Sequence, residues 1–447
     1  MHDTPARYGR GASALPWCLL LLAGLSACGT GSAPEADRAA SAPAAPAAFE
    51  RVETLTLPAG PVASQPDLVA TPDGGWLLAW IEPGMGDASD GESRGHRLMF
   101  SRTRAGEGDW SVPRAIARGD DWFLNWADTP HVQALPDGSL WAHWLRSTGP
   151  GRMDYGIDLV RSGDGGDTWS APTLVNLADS AGDHGFVSFW PQGRDGLGIA
   201  WLDSRQKAAA IAAGEAEASD DPHHGGGAPM MLRAAVFDAA GERSAEWPLD
   251  TSTCDCCTTA AAITSRGPVV VYRGRTAGEI RDTRLVRFEN GAWTAPRDVH
   301  ADGWMMPGCP VNGPVVAARG ERVWVAWFTQ ADGPPELRIA RSDDAGDSFG
   351  APLTVARGEH VLGRATLALA GDALLVAWLE ETDAQRLQLA RYGLDLSAPP
   401  TRRELARLAI RGRASGLPRL AVQGDEARIV WTDTEGGKPV LRGVRLH

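Results

Sequence analysis

Positive charge is in deficit in this chain: 43 Lys and Arg stand against 56 Asp and Glu, a formal net charge of −13. That balance excludes nucleic acid as a partner, because phosphate binding needs a positive surface. It also excludes non-specific attraction to anionic membranes. Beyond the first 27 residues no run approaches eighteen continuous apolar positions, so no membrane-spanning helix is expected there. Tyrosine is scarce, with 4 residues against 18 Trp. Cysteine is limited to 6 residues, four of them in two short segments after residue 250. What remains is ordinary for a globular protein, with 43% apolar and 22% charged residues. At 447 residues the chain has room for two or three average domains or for one large all-β architecture.

The N-terminus reads as a processing segment. Arg7 and Arg10 precede the apolar stretch Leu15 to Leu25, which is too short to span a bilayer comfortably. It ends in Leu25-Ser26-Ala27-Cys28, which resembles the lipobox of bacterial lipoproteins. The resemblance implies a signal peptide over 1–27, with Cys28 acylated as the first mature residue. It places the protein in the cell envelope, held to a membrane by that lipid alone. Gly29 at the next position, where inner-membrane members of that family carry Asp, favours the outer membrane, facing periplasm or surface. Residues 28–48, rich in Ala, Pro and Ser after the Cys, form a tether without a core of its own.

Residues 49–447 carry an internal repeat. Alternating strands end in Ala-Trp or a variant at Trp80, Trp144, Trp201, Tyr272, Trp327, Trp378 and Trp431, spaced by 64, 57, 71, 55, 51 and 53 residues. Units of this length, with four short strands and turn residues between them, predict a β-propeller of four-stranded blades. Seven repeats are counted. The last lacks a fourth strand, and Val52 to Leu57 alternates without a blade of its own. It is therefore expected to close the ring, which removes the free edges.

Ser162-Gly163-Asp164-Gly165-Gly166-Asp167-Thr168-Trp169 is similar to the Asp-box, S-x-D-x-G-x-x-W, of bacterial sialidases and their relatives. A second copy runs from Ser342 through Asp344 and Gly346 to Phe349, with Phe for Trp. The resemblance covers nearly the whole propeller region and implies a sialidase-like fold, with six blades as the family alternative to the seven counted. In that family the box is structural and lies away from the active face. The family's hydrolases use an arginine triad, a Tyr–Glu nucleophile pair and an Asp acid/base. Carried over, this makes Arg205, Arg273 and Arg364 candidates for an anionic group, Asp203 and Asp128 candidate acids, and Tyr155 the face-loop tyrosine. The family's N-terminal Arg-Ile-Pro motif is absent, which puts the catalytic set in doubt. His184 and Asn312 are further candidates on the same face.

The most distinctive segments are Cys254-Asp255-Cys256-Cys257, before the first strand of the fourth repeat, and Met305-Met306-Pro307-Gly308-Cys309, before that of the fifth. Equivalent loops of adjacent blades are neighbours, so four Cys and two Met should gather at the channel mouth. Three readings stand. The even count in an oxidising compartment fits two disulfides. Thiolates with thioethers fit Cu or Zn. A mixed thiol–disulfide pair would be redox-active. Residues 205–228 form an insertion, with an Ala-rich stretch expected as a short helix and Asp220 to Gly227 as its tip. At this stage the chain reads as a lipid-anchored propeller that binds a glycan or glycoconjugate, with glycoside hydrolysis as one outcome. The alternatives are a protein-binding scaffold and a soft-metal or redox protein built on the Cys/Met cluster.

Overall fold

The computed structural model describes residues 51–83, 95–178, 180–215 and 227–447. The expected signal peptide, Cys28, the expected tether and most of the insertion tip lie outside the described residues.

Seven antiparallel sheets form seven blades in a ring. The first blade shows the pattern: Ser64–Ala70, Trp76–Pro83, His96–Thr103 and Arg114–Gly119 pair in sequence order. The first strand of each blade packs against the first strands of both neighbours and so lines the channel. Second strands read as apolar runs because both of their faces are covered by adjacent blades: Leu374 to Leu379 and Val323 to Trp327 are buried throughout. The seven-blade count therefore stands over the six-blade alternative.

In three blades the repeated aromatic that ends the second strand is a polar anchor as well as core. Side chains two apart share one face of a strand. Accordingly Trp80 Nε1 donates to Glu82 at 2.7 Å, Trp201 Nε1 to Asp203 at 2.9 Å and Trp378 Nε1 to Glu380 at 2.8 Å.

The ring closes as expected. Val52–Thr54 pairs antiparallel with Val444–Leu446, completing the last blade, and Leu55 and Leu57 pack into the core between the last and first blades. Deleting residues through Leu57 is expected to lower unfolding stability by on the order of 3 kcal/mol, the value of two partly buried leucines plus a lost edge. Urea denaturation checks this; an unchanged midpoint would mean that the closure adds nothing.

Both Asp-boxes join third to fourth strands, on the lower face. Ser162 Oγ donates to Asp164 and accepts from Gly166 N–H at 2.7 Å, while Asp164 accepts from Thr168 N–H at 2.9 Å. The second box repeats this with Ser342, Asp344, Gly346 and Ser348. Gly166 and Gly346 sit at φ +92° and +90°, where a side chain would be strained. Trp169 meets Phe100 of the neighbouring blade edge-on at 5.8 Å, and Phe349 packs on the blade-four/five core. The boxes are inter-blade fasteners.

Candidate functional site

The upper face is built from the loops entering the first strands and those joining second to third strands. Three first strands begin with a β-bulge, marked by a positive φ at Gln65, Phe186 and Arg364. Bulges re-aim side chains and leave a backbone N–H to satisfy. In each case a side chain from an adjacent blade accepts it: Thr432 from Gln65 at 3.2 Å, Asp128 from Phe186 at 2.7 Å, Asn312 from Arg364 at 2.8 Å. Asp128 and Asn312 thus occupy one structural role in two places.

Several expected site residues are used up in this way. Asp203 is fully buried and accepts from Arg205 N–H and Nε at 3.0 and 2.8 Å, with His184 Nδ1 3.4 Å away. Burial alone would raise its carboxyl, but His184 and Arg205 outweigh that and hold it well below the usual range. It is the anchor of Trp201, and it has no proton to donate at neutral pH. Arg205 is tied to Asp203 and lies 3.2 Å from Glu246. Arg273 is 2% exposed and donates only to backbone carbonyls, those of Arg281, Asn312 and Phe328, at 2.6, 2.8 and 2.7 Å. Tyr155 opens a third strand, buried and stacked on Phe123 with centroids 3.9 Å apart. Arg364 lines an open pocket, whereas Arg205 and Arg273 are committed to Asp203 and to backbone carbonyls.

Asp128 is the exception among the acids. Burial, with Asp183 nearby adding to it, pushes its carboxyl up to about 8 against the pull of the Phe186 N–H. The unfolded chain gives up this proton above about pH 4, while the folded protein keeps it to about pH 8. Stability therefore falls as pH rises between those values. Asp128→Asn, which keeps the acceptor as Asn312 does naturally, should remove that slope and stabilise the protein at pH 8. The gain is expected to be about 2 kcal/mol or more, one pKa unit being about 1.4 kcal/mol. Denaturation midpoints at pH 5 and pH 8 decide it; a mutant with the wild-type slope would refute the assignment.

The thiols gather as expected. Cys254, Cys256 and Cys257 are buried, and their sulfurs lie within 4.8 Å of one another. Cys254 Sγ is 3.9 Å from Cys256 Sγ and 3.6 Å from Cys257 Sγ. Among the described residues no disulfide forms at Cys254, Cys256, Cys257 or Cys309. Those separations far exceed the about 2.05 Å of a disulfide. Cys309, half-buried, reaches Cys256 from the adjoining loop. The thiols differ in state. Burial would raise Cys257, but hydrogen bonds with Cys254 and Cys256, the Arg273 guanidinium and the Asn312 N–H hold it well below its usual value. The hydrogen bond with Cys256 works to lower Cys254, yet the contact with Cys257 and burial lift it to about 11. A thiolate at Cys257 accepting from the Cys254 thiol fits both.

Cations surround this cluster. Buried Arg273, Arg275 and Arg281 lie around it, and Lys207 reaches Asp255 at 3.3 Å from the helix Arg205–Ala212. That helix is the one expected from the Ala-rich insertion. Lys207, Arg275 and Arg281 were missed in the sequence reading; Arg275 and Arg281 sit in the loop after the fourth blade's second strand, where they could have been sought.

Beside the thiols opens a pocket of about 340 Å³ that includes Trp126, Met306, Cys309, Asn312, Arg364 and Arg413. Arg364 lies 4.6 Å above the Trp126 ring and Arg413 6.0 Å from it. Burial, offset in part by Glu381, brings Arg364 down to about 10, so it stays charged. Arg413 was also missed, although it lies in the loop entering the last blade. Trp304 packs beneath Arg273 at 4.9 Å and also lines the pocket.

No family model matches the chain, and no curated protein matches it. Solved structures do resemble it. A protein of unknown function from Dyadobacter fermentans aligns with TM-score 0.50 and 13% identity, over 89% of this chain and 98% of that one. An ulvan lyase aligns at 0.47 with 14% identity over 76% and 81%, and a phage phi92 endosialidase at 0.46 with 12% over 89% and 69%. At these identities the likeness is one of fold alone.

Proposed function

We propose that the protein is a thiophilic-metal-binding propeller of the cell envelope, with Cys254, Cys256 and Cys257 holding one Cu(I) or Zn ion at the channel mouth. The observation that carries this reading is the sulfur spacing. Tetrahedral Zn–S bonds of about 2.3 Å place sulfurs about 3.8 Å apart, and the two separations here are 3.9 and 3.6 Å. The Arg273 guanidinium beside Cys257, which pairs with no carboxylate among the described residues while Arg275, Arg281 and Lys207 are paired with Glu279 and Asp255, supports it further, since a thiolate-bound ion carries net negative charge. Thiolates with nearby thioethers suit soft ions. The lipobox resemblance at Cys28 supports placement in the envelope on a lipid anchor. The test is the native mass of the protein from residue 29 onward after loading with Cu(I) or Zn, with and without prior thiol alkylation. A one-ion adduct that alkylation abolishes supports the reading; no adduct, with thiols that react only after reduction, would replace it with disulfides.

A second reading places a glycan or glycoconjugate on the same face. The pocket that joins Trp126 to Arg364 and Arg413 supports it, since an aromatic ring with cations suits an acidic sugar. Loss of binding of a sialylated or uronate oligosaccharide on Trp126→Ala would support this reading; no binding by the wild type would end it.

A further inference from the structure

The buried thiols are not sealed from solvent. Cys309 stands outside the group whose sulfurs all lie within 4.8 Å of one another. It touches Cys256 on one side and lines the pocket, beside Met306, on the other. Met305, one residue before, is 69% exposed, the most exposed sulfur side chain among the described residues. Sulfur donors therefore run inward from solvent through Met305, Met306 and Cys309 to Cys256, and then to Cys254 and Cys257. One loop supplies the outer three and another the inner three. Arg364 and Arg413 are the charged groups that line the pocket, and no carboxylate among the described residues does.

This arrangement fits movement of an ion better than permanent storage. A closed structural site would use all four thiols equally. Thioethers are neutral, soft donors that bind Cu(I) and discriminate against Zn. Resting on the metal reading above, we propose that Met306 and Cys309 form an exchange port. Through it Cu(I), brought in as an anionic complex of a small thiol or chelator, passes to Cys254, Cys256 and Cys257. Arg364 and Arg413 receive the negative charge of the carrier. The bond from copper to the carrier breaks as the bond to the Cys309 sulfur forms. The thiol proton leaves to water or to the released carrier, and copper stays in its +1 state, so no oxidant or reductant is needed.

The test is anaerobic transfer from the anionic Cu(I)–bicinchoninate complex, followed by the loss of its colour. Wild type should take up one ion per chain. Cys309→Ser and Met306→Leu should reach the same stoichiometry at least about tenfold more slowly, the scale of outer-sphere effects at metal sites. Arg413→Ala should slow transfer from this complex but not from the cationic Cu(I)–acetonitrile complex. Equal rates in wild type and both sulfur variants would overturn the port. A Cys309→Ser protein that binds no copper would also overturn it, making Cys309 a core ligand. Failure of wild type to take up any copper would instead sink the metal reading on which the port rests.

Discussion

Cys257→Ser should cost the protein more than about 100-fold in affinity for a soft metal ion. Loss of an outer-sphere partner already costs 10–100-fold, and this change removes a bound sulfur. Cys257 is the thiol that the fold prepares most fully. The Cys254 thiol donates to it at 3.6 Å, and the Asn312 N–H and the Arg273 guanidinium hold it toward the thiolate. Metal affinity at a thiol site depends on how much of the ligand is already deprotonated. Serine is close in size but gives up its proton only at far higher pH. The metal-free variant should unfold within about 1 kcal/mol of wild type, because a hydroxyl there can still exchange a hydrogen bond with Cys254. Competition with a coloured chelator measures the first quantity and guanidinium denaturation the second. Undiminished affinity would show that the cluster is not the binding site.

Arg273→Met should destabilise the metal-free protein by about 3–5 kcal/mol, the range for leaving partners of a buried charged group unmatched. Its guanidinium is held by two loops of the upper face and the end of the fifth blade's second strand, through the carbonyls of Arg281, Asn312 and Phe328, and it covers Trp304. Removing it strands those acceptors. It also frees the segment that carries Asn312, whose side chain fixes the Arg364 bulge. Arg273→Lys should rescue little, because the donors of an ammonium sit on one nitrogen and cannot span acceptors that the guanidinium reaches from two. A loss below about 1 kcal/mol would mean that the loops of the mouth stand without this clamp.

The architecture was legible because it repeats. Trp80, Trp201, Trp327 and Trp378 recur at blade length, each burying a large ring between sheets, and such a period has few structural solutions. The ring closure followed from one unpaired strand at each end. The thiol cluster was legible by the same logic, since loops at equivalent places in adjacent blades must meet. Its pairing state was not, because two disulfides and an open group of thiols share one sequence. Individual roles on the face were harder. Asp203 and Arg273 stand at the ends of second strands, which read as open positions on a bare propeller. The mouth is instead filled by the loops 274–282 and 304–314, which bury what lies beneath them. One signal was available: Glu82, Asp203 and Glu380 each stand two residues after the repeated Trp, which marks Asp203 as a partner of the indole rather than a catalytic acid. Asp128 carried no such mark, because the bulge that it serves is invisible in sequence.

X-ray absorption at the metal edge of the loaded protein tests the central claim most directly. The expected result is a first shell of three sulfur atoms at about 2.2–2.3 Å, complete in itself for Cu(I) and joined by one further ligand for Zn. A shell of nitrogen or oxygen, or a protein that takes up no metal while its four cysteines map as two disulfides, would contradict it.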